Sequence, residues 1–320
     1  MKNTTLEQEL QTISLHNHTH ASDGTWTPEE LARTAKEAGI DVIALTDHDT
    51  FENVPRFLDA CKQYGIQGIG GVEFDTCENS IEILSYFPHR DIPQPVLELA
   101  HKSTKGRQEY RERLLQTLNN YFGTEYSMSN ISTALGRQAF TRHDVLRFFI
   151  PEVIANIEGV STKKDAESWL SKKTSDKQSE LYVRERKNPT PREVVQLVKE
   201  NGGYTSIAHP ARMKQVAFPW SSDQTGTPFE TIVSELAEAG LDAIEWYGYQ
   251  EKHMPEFTTK TKTKERENRH RTYINIYVEE VARKQGLDLT YGNDSHHPSD
   301  GRLTDKDMLW RARLSEELIT

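Results

Sequence analysis

Cysteine is nearly absent from this chain. Cys61 and Cys77 stand alone in 320 residues, too few for a disulfide framework and without the paired spacing of a cysteine zinc site, so both read as small buried side chains of a reducing compartment. Long apolar runs are missing too: no stretch approaches the roughly 18 residues that a membrane-crossing helix needs, and residues 1–11 hold no apolar leader core. The expectation is a soluble, cytoplasmic protein with no membrane partner. A third absence is positive charge. The 39 Lys and Arg face 49 Asp and Glu, for a net charge of −10, which argues against a broad footprint on duplex DNA but leaves room for a small basic pocket that grips a phosphate. Trp, Tyr and Phe are spread along the whole length, enough for a sizeable core in one large α/β domain or a domain carrying an insertion.

What is present is a recurring unit. Thr27-Pro28-Glu29-Glu30 sets a capping box with proline at the first helical position, a helix follows over 31–38, Gly39 stops it, and the apolar run 41–46 reads as a buried strand ending at Asp47-His48-Asp49. The same order returns at Thr190-Pro191-Arg192-Glu193, leading to a strand over 204–208 and His209-Pro210, and at Thr227-Pro228-Phe229-Glu230, leading to a strand over 242–246 and Tyr247. Further strands are predicted over 66–72 into Glu73, over 81–87, and over 287–291 into Asn293-Asp294-Ser295-His296. Alternating β and α elements with chemistry at the strand ends fit a β/α barrel, whose active sites are assembled on that one face.

Between 93 and 187 the texture changes: 97–122 has helical period and mixes Arg107, Arg111 and Arg113 with leucines, short helical pieces follow, and no strand-forming run is evident. This reads as an inserted helical cap able to close over a substrate. The predicted organisation is a barrel over 12–92, a cap over 93–187 and the barrel resumed over 188–320. The charged stretch 253–271 reads as a solvated face.

Near the N-terminus, Leu15-His16-Asn17-His18 continues a short strand. Alternation puts His16 and His18 on one face, about 7 Å apart along the backbone, so that two imidazoles can reach one metal ion. Asp23, in a Ser-Asp-Gly turn, can swing back over the same end. With the other strand ends the candidates are His16, His18, Asp23, His48, Glu73, His209, Asp294 and His296. Nitrogen and carboxylate donors without thiolate suit Mn, Fe, Zn or Mg rather than a structural zinc. Asp47 and Asp49 read as partners that orient imidazoles; His20, His89, His101, His253 and His270 read as solvated, and His297 as a neighbour of the site.

The segments Leu15-His16-Asn17-His18-Thr19 with Ser22-Asp23-Gly24, Leu45-Thr46-Asp47-His48-Asp49, Gly71-Val72-Glu73, Ala208-His209-Pro210 and Asn293-Asp294-Ser295-His296 resemble, in order, the motifs of the PHP (polymerase and histidinol phosphatase) phosphoesterases. The resemblance implies a distorted seven-stranded TIM-like β/α barrel holding two or three divalent metal ions. It implies that His16, His18, Glu73 and Asp294 hold the first metal, that Glu73 bridges to a second that also takes His209, and that Asp23, His48 and His296 hold the third. A metal-bound hydroxide held by Glu73, Asp294 and His209 would be the nucleophile. The chain departs from the family in placing Glu82 where a histidine ligand to the second metal is usual, which either shifts preference toward harder ions such as Mn²⁺ or Mg²⁺ or leaves that metal weakly held or absent. Ser14 stands where the family often has aspartate.

The insertion, with its arginine-studded helix and Thr141-Arg142-His143, and the return through Ala211-Arg212 resemble the branch that hydrolyses nucleotide phosphates and trims RNA from the 5′ end. The expected substrate is therefore a phosphorylated small molecule or short nucleic acid: a nucleoside 3′,5′-bisphosphate, a nucleoside monophosphate or a short oligonucleotide. Histidinol phosphate and a metal-binding barrel without catalysis are the alternatives. Arg142, His143 and Arg212 are the candidates for gripping phosphate, and Trp246 and Tyr247 could flank a base or sugar. Metal-dependent C–N hydrolysis on a similar barrel is disfavoured, since no lysine occupies a convincing strand end.

Overall fold

Short apolar runs bracketed by caps and stops give this chain its rhythm. In the computed structural model, which describes residues 10–88, 91–135, 141–184, 188–220, 224–247, 273–304 and 309–319, the first elements are β1 (Gln11–Ser14), α1 (Pro28–Ala38), β2 (Val42–Leu45), α2 (Val54–Tyr64), β3 (Gln67–Asp75) and β4 (Glu82–Phe87). The Thr27 box forms in full: its hydroxyl accepts from Glu30 N–H while the Glu30 carboxylate accepts from Thr27 N–H, and Gly39 closes α1 at φ 78°. The box at Thr190 opens α8 (Pro191–Glu200) in the same way.

The third box does not form. Thr227 N–H donates to Gln215 O at 3.0 Å, so Thr227–Pro228 is drawn into a short strand, β7, beside β6 (Val216–Ala217). α9 (Phe229–Glu238) then starts without a side-chain cap, and Glu230 pairs with Lys284 at 3.1 Å instead.

Seven strands form the ring β1-β2-β3-β4-β5-β8-β9, where β5 is Tyr204–Ile207, β8 is Ala243–Tyr247 and β9 is Asp288–Gly292. Neighbours are parallel except at β4, which runs antiparallel to both β3 and β5. The ring is nearly closed where β9 returns to β1: Leu15 N–H donates to Tyr291 O at 2.8 Å, and Asn17 bridges Ser295. An eighth strand, β10 (Trp310–Ala312), pairs antiparallel with β1. Period-two alternation divides the strand residues between two apolar clusters. Ile43, Leu45, Val72 and Phe74 pack with Leu31, Phe57, Val194 and Val233 of the helices, whereas Val42, Ala44, Ile69 and Leu84 join Ile13 and Tyr86.

Among the described residues of 91–184 the regular elements are all helices, α3 (Gln94–Phe122), α4 (Met128–Leu135), α5 (Arg142–Phe148), α6 (Ile150–Asn156) and α7 (Lys163–Ser175). They share an apolar cluster of their own that includes Leu114, Leu118, Ile131, Phe149 and Leu170. Among the described residues no helix is long and apolar enough to cross a membrane. The 253–271 stretch, and with it His253 and His270, lies outside the described residues, as does His89.

Candidate metal centre

The chain leaves β1 still extended, with His18 N–H donating to Ser295 O at 2.9 Å and Thr46 N–H to Asn17 O at 2.9 Å. That pinning buries the imidazoles of His16 and His18 with ring centroids 5.0 Å apart. Their Nε2 atoms lie 3.2 and 3.3 Å from Glu73 Oε2, and 3.4 and 3.0 Å from Asp294 Oδ1. On one side Asp23 lies 3.2 Å from His296 Nε2, 3.7 Å from His18 and 3.8 Å from His48. On the other, His209 Nε2 lies 3.1 Å from Glu73 Oε1 and 3.0 Å from Glu82 Oε2. His48 Nδ1 is 3.3 Å from Glu73. All the donors expected from the sequence, Glu82 included, thus meet around Glu73.

Turns at the strand ends aim these groups. His209 and Asp294 adopt positive φ of 25° and 55°, left-handed conformations that non-glycine residues take at a cost and that cluster at functional sites. Gly292 ends β9 because nothing larger fits: a Cβ there would meet Glu245 Oε1 at 2.3 Å and His16 Cβ at 2.4 Å.

The donor set fits divalent cations. Three groups, His16/His18/Glu73/Asp294, His18/Asp23/His48/His296 and His48/Glu73/Glu82, each keep their ligand atoms within 4.8 Å of one another. Among the described residues His16 Nε2, His18 Nε2, His48 Nδ1 and Glu73 Oε2 are buried and make no hydrogen bond, a costly state for polar atoms that a cation relieves. The electrostatics agree. Burial disfavours charge on Glu73 and Asp294, yet His16 and His48 hold Glu73, and His296 and His16 hold Asp294, well below the ordinary carboxylate range. Burial likewise opposes protonation of His209 and His296, but contacts to Glu73 and Glu82, and to Asp294 and Asp23, outweigh it and raise both to about 9. The pocket is built to hold positive charge.

Sequence reading missed several groups here. Glu245, fully buried in β8, accepts from His16 Nδ1 at 2.9 Å and from His209 N–H at 2.6 Å. Asp75 lies 3.0 Å from His48 Nδ1 and 3.0 Å from Arg107, and Arg302 donates to Asp294 O at 2.5 Å. Asp47 braces a loop rather than an imidazole, accepting from Thr19 N–H at 2.7 Å and Ser22 Oγ at 2.6 Å. Asp49 receives Asp75 N–H at 3.2 Å and Arg107 at 2.6 Å. A lone Glu in the apolar run Ala243-Ile244-Glu245-Trp246-Tyr247 was a signal available in the sequence, because a carboxylate inside a buried strand needs a partner.

Of the phosphate-gripping candidates, Arg212 donates to Asp294 Oδ2 at 2.7 Å while 42% of its side chain stays exposed. Arg142 is hydrogen-bonded to Tyr110 Oη at 3.2 Å and Thr174 Oγ1 at 2.5 Å in the cap, and His143 is exposed beside it. Trp246 packs on Tyr291 and Trp310 and donates its indole N–H to Asn275 O at 2.6 Å. Tyr247, fully buried, reaches Asp294 Oδ2 at 3.3 Å through its hydroxyl. His20 Nδ1 bonds Trp26 O, and His297 meets Thr25. Cys61 is buried as expected, but Cys77 is exposed, because it follows β3 in a loop.

The PHP domain family matches residues 14–209. The 5′-3′ exoribonuclease of Haemophilus influenzae is 29% identical over 232 residues, 72% of this chain and 77% of that protein. The 5′-3′ exoribonuclease Rnm of Escherichia coli is 27% identical over 241 residues, 72% and 73% of the two chains. Among solved structures, one described as a metal-dependent phosphoesterase from Bifidobacterium adolescentis superposes with a TM-score of 0.61 at 20% identity, over 89% of this chain and 87% of that one, a likeness of fold.

Proposed function

Taking as premise that the chain belongs to the PHP domain family and is a hydrolase of phosphoester bonds, we propose that it is a metal-dependent phosphoesterase whose substrates are phosphate esters of nucleotides or the ends of short RNA. The observation that carries this reading is the convergence of His16, His18, Asp23, His48, Glu73, Glu82, His209, Asp294 and His296 on one buried pocket. The relatives named exoribonucleases point the substrate toward nucleic acid.

The residues divide the work. His16, His18, Glu73 and Asp294 would hold one ion, Glu73, His209 and Glu82 a second, and His18, Asp23, His48 and His296 a third. Bound ions would polarise the phosphate and make water nucleophilic near neutral pH. Glu82 in place of an imidazole suits a hard ion such as Mn²⁺ or Mg²⁺. Arg212, hydrogen-bonded to Asp294 yet half-exposed, can turn its remaining donors to a phosphate oxygen. Tyr247 and Arg302 brace Asp294 from behind.

The test is phosphate release in Mn²⁺ from a panel of nucleoside 3′,5′-bisphosphate, nucleoside monophosphate, 5′-phosphorylated oligonucleotide and histidinol phosphate. Nucleotide substrates are expected to lead, and His18→Ala to lower their turnover by about 100-fold or more. Hydrolysis undiminished in that variant would reject the site.

A further inference from the structure

Helix α3 belongs to two cores at once. Along one stripe Val96 and Ala100 pack into the apolar cluster of the barrel, and further on Tyr110, Leu114 and Leu118 pack into that of the cap. Between the two the stripe turns polar: Thr104 and Arg107 face the ends of β2 and β3. A guanidinium in such a place gives up hydration, a cost that close carboxylates offset. Arg107 Nη2 meets Asp49 Oδ2 at 2.6 Å and Asp75 Oδ2 at 3.0 Å.

Asp49, at a positive φ of 54°, ties three segments together. Its N–H donates to Glu73 O at 2.9 Å, its Oδ1 accepts from Asp75 N–H at 3.2 Å, and its carbonyl accepts from Thr104 Oγ1 at 2.6 Å. Both sides of His48 are fixed in this way. Asp75 presents its other oxygen, Oδ1, to His48 Nδ1 at 3.0 Å, closer than Glu73 at 3.3 Å, while His48 Nε2 looks toward Asp23 at 3.8 Å. A neutral imidazole that gives Nε2 to a cation keeps its proton on Nδ1, and Asp75 Oδ1 is the nearer of these two carboxylates to take it. Without the guanidinium between them, Asp49 and Asp75 would meet as like charges, and Asp75 would turn from His48.

We propose that Arg107 is a positioning residue of the metal centre: through Asp75 it sets the His48 ring for the cation held together with Asp23 and His296, which makes the first helix of the cap a fixed part of that site. This rests on the donor cluster of the proposed phosphoesterase being a metal centre. A cap that lifted from the barrel at α3 would loosen one ion and leave the others in place.

The experiment titrates the metal-stripped protein with Mn²⁺ in a calorimeter, for wild type, Arg107→Gln, Arg107→Lys, Asp75→Asn, His296→Ala and the Arg107→Gln/His296→Ala double variant. One ion is expected to bind about tenfold less tightly in Arg107→Gln and about 10- to 100-fold less tightly in Asp75→Asn, the range for groups that orient metal ligands, while the other ions keep their affinity. Arg107→Lys retains a charge without the fork that reaches both carboxylates, and should recover part of the loss. With His296→Ala already in place, that ion has lost a ligand, so Arg107→Gln should change Mn²⁺ binding by less than about twofold. Melting in chelator and in a fixed concentration of Mn²⁺ separates positioning from packing: Arg107→Gln should narrow the rise in Tm that Mn²⁺ brings, whereas a merely structural arginine lowers both temperatures alike. Unchanged affinities in Arg107→Gln overturn the proposal and leave the metal centre standing, as do an equal loss at every ion and a loss that persists in full beside His296→Ala. If Arg107→Gln does not fold, Arg107→Lys and Asp75→Asn carry the same comparison. Wild type that takes up no Mn²⁺ overturns the reading of the cluster, and this proposal with it.

Discussion

The carboxylate of Glu245 does two jobs with its two oxygens. Oε1 takes the Nδ1–H of His16 at 2.9 Å and Oε2 the backbone N–H of His209 at 2.6 Å. A hydrogen bond at Nδ1 orients the ring so that Nε2 faces Glu73 and Asp294 and is the nitrogen that would give its lone pair to a bound cation. The second bond holds His209 at its positive φ. Glu245→Gln keeps the volume but removes the charge, and one amide cannot accept both bonds at full strength. Metal affinity and turnover are expected to fall about 10- to 100-fold, as for other partners of metal ligands, with the far-UV circular dichroism unchanged. Titration calorimetry with Mn²⁺ on wild type and variant checks this; equal affinities would show that the carboxylate is only packing.

At the scale of elements, the capping boxes explain why histidines arrive at strand ends. A box starts the helix at a fixed residue, glycine or asparagine stops it, and the short strand that follows has a defined end, at His48 after α1 and at His209 after α8. Thr190→Ala removes the α8 box and is expected to cost about 1 kcal/mol, read as a lower midpoint in urea. Thr190, through its backbone N–H and then its hydroxyl, holds the Glu193 carboxyl below its ordinary value of 4.5. A depressed carboxylate stabilises the fold above its unfolded value and loses that contribution as pH falls through the folded one. Thr190→Ala keeps the backbone N–H and loses the hydroxyl, so its difference from wild type should be full at pH 7 and shrink only in part below about pH 4.5, leaving the share of the Glu193 N–H bond to the Thr190 hydroxyl; a difference that grows on acidification would show that the hydroxyl does not hold the Glu193 carboxylate. Local patterns of this kind made the seven strands legible in the sequence and pointed to eight candidates at their ends, which the fold brings together; Glu82 was named only through the family resemblance. Local logic failed at Thr227, where pairing with β6 overrode an equally good box. It was blind to Glu245, Asp75 and Arg107, whose roles rest on contacts across the fold: Glu245 meets His16 from 229 residues away, and no periodicity or spacing encodes such a meeting.

For the whole molecule, the donor cluster is also a liability of stability. Glu73 and Asp294 are buried against His16 and His18, and Glu245 against His16, and burying charge is costly. The imidazoles offset this by staying protonated, with His16 and His48 raised well above their ordinary value and His209 and His296 at about 9. Divalent cations would meet the same need more strongly, from ligands drawn from six of the seven ring strands or the segments that follow them, and an unfolded chain offers no such assembly. Binding to the folded state alone stabilises by RT ln(1 + [L]/Kd), about 2.7 kcal/mol at a hundredfold excess over Kd. Mn²⁺ at saturating concentration is therefore expected to raise Tm by several degrees over the chelator-treated protein, with the gain growing with the logarithm of free metal. The cap has an apolar cluster of its own and supplies none of the nine donors, so the gain should fall on amides of β1, β3, β8 and β9 in hydrogen exchange and leave those of α6 and α7 little changed. Equal protection of all of these elements by Mn²⁺, or no shift in Tm, would mean that the strands do not share a common set of cations.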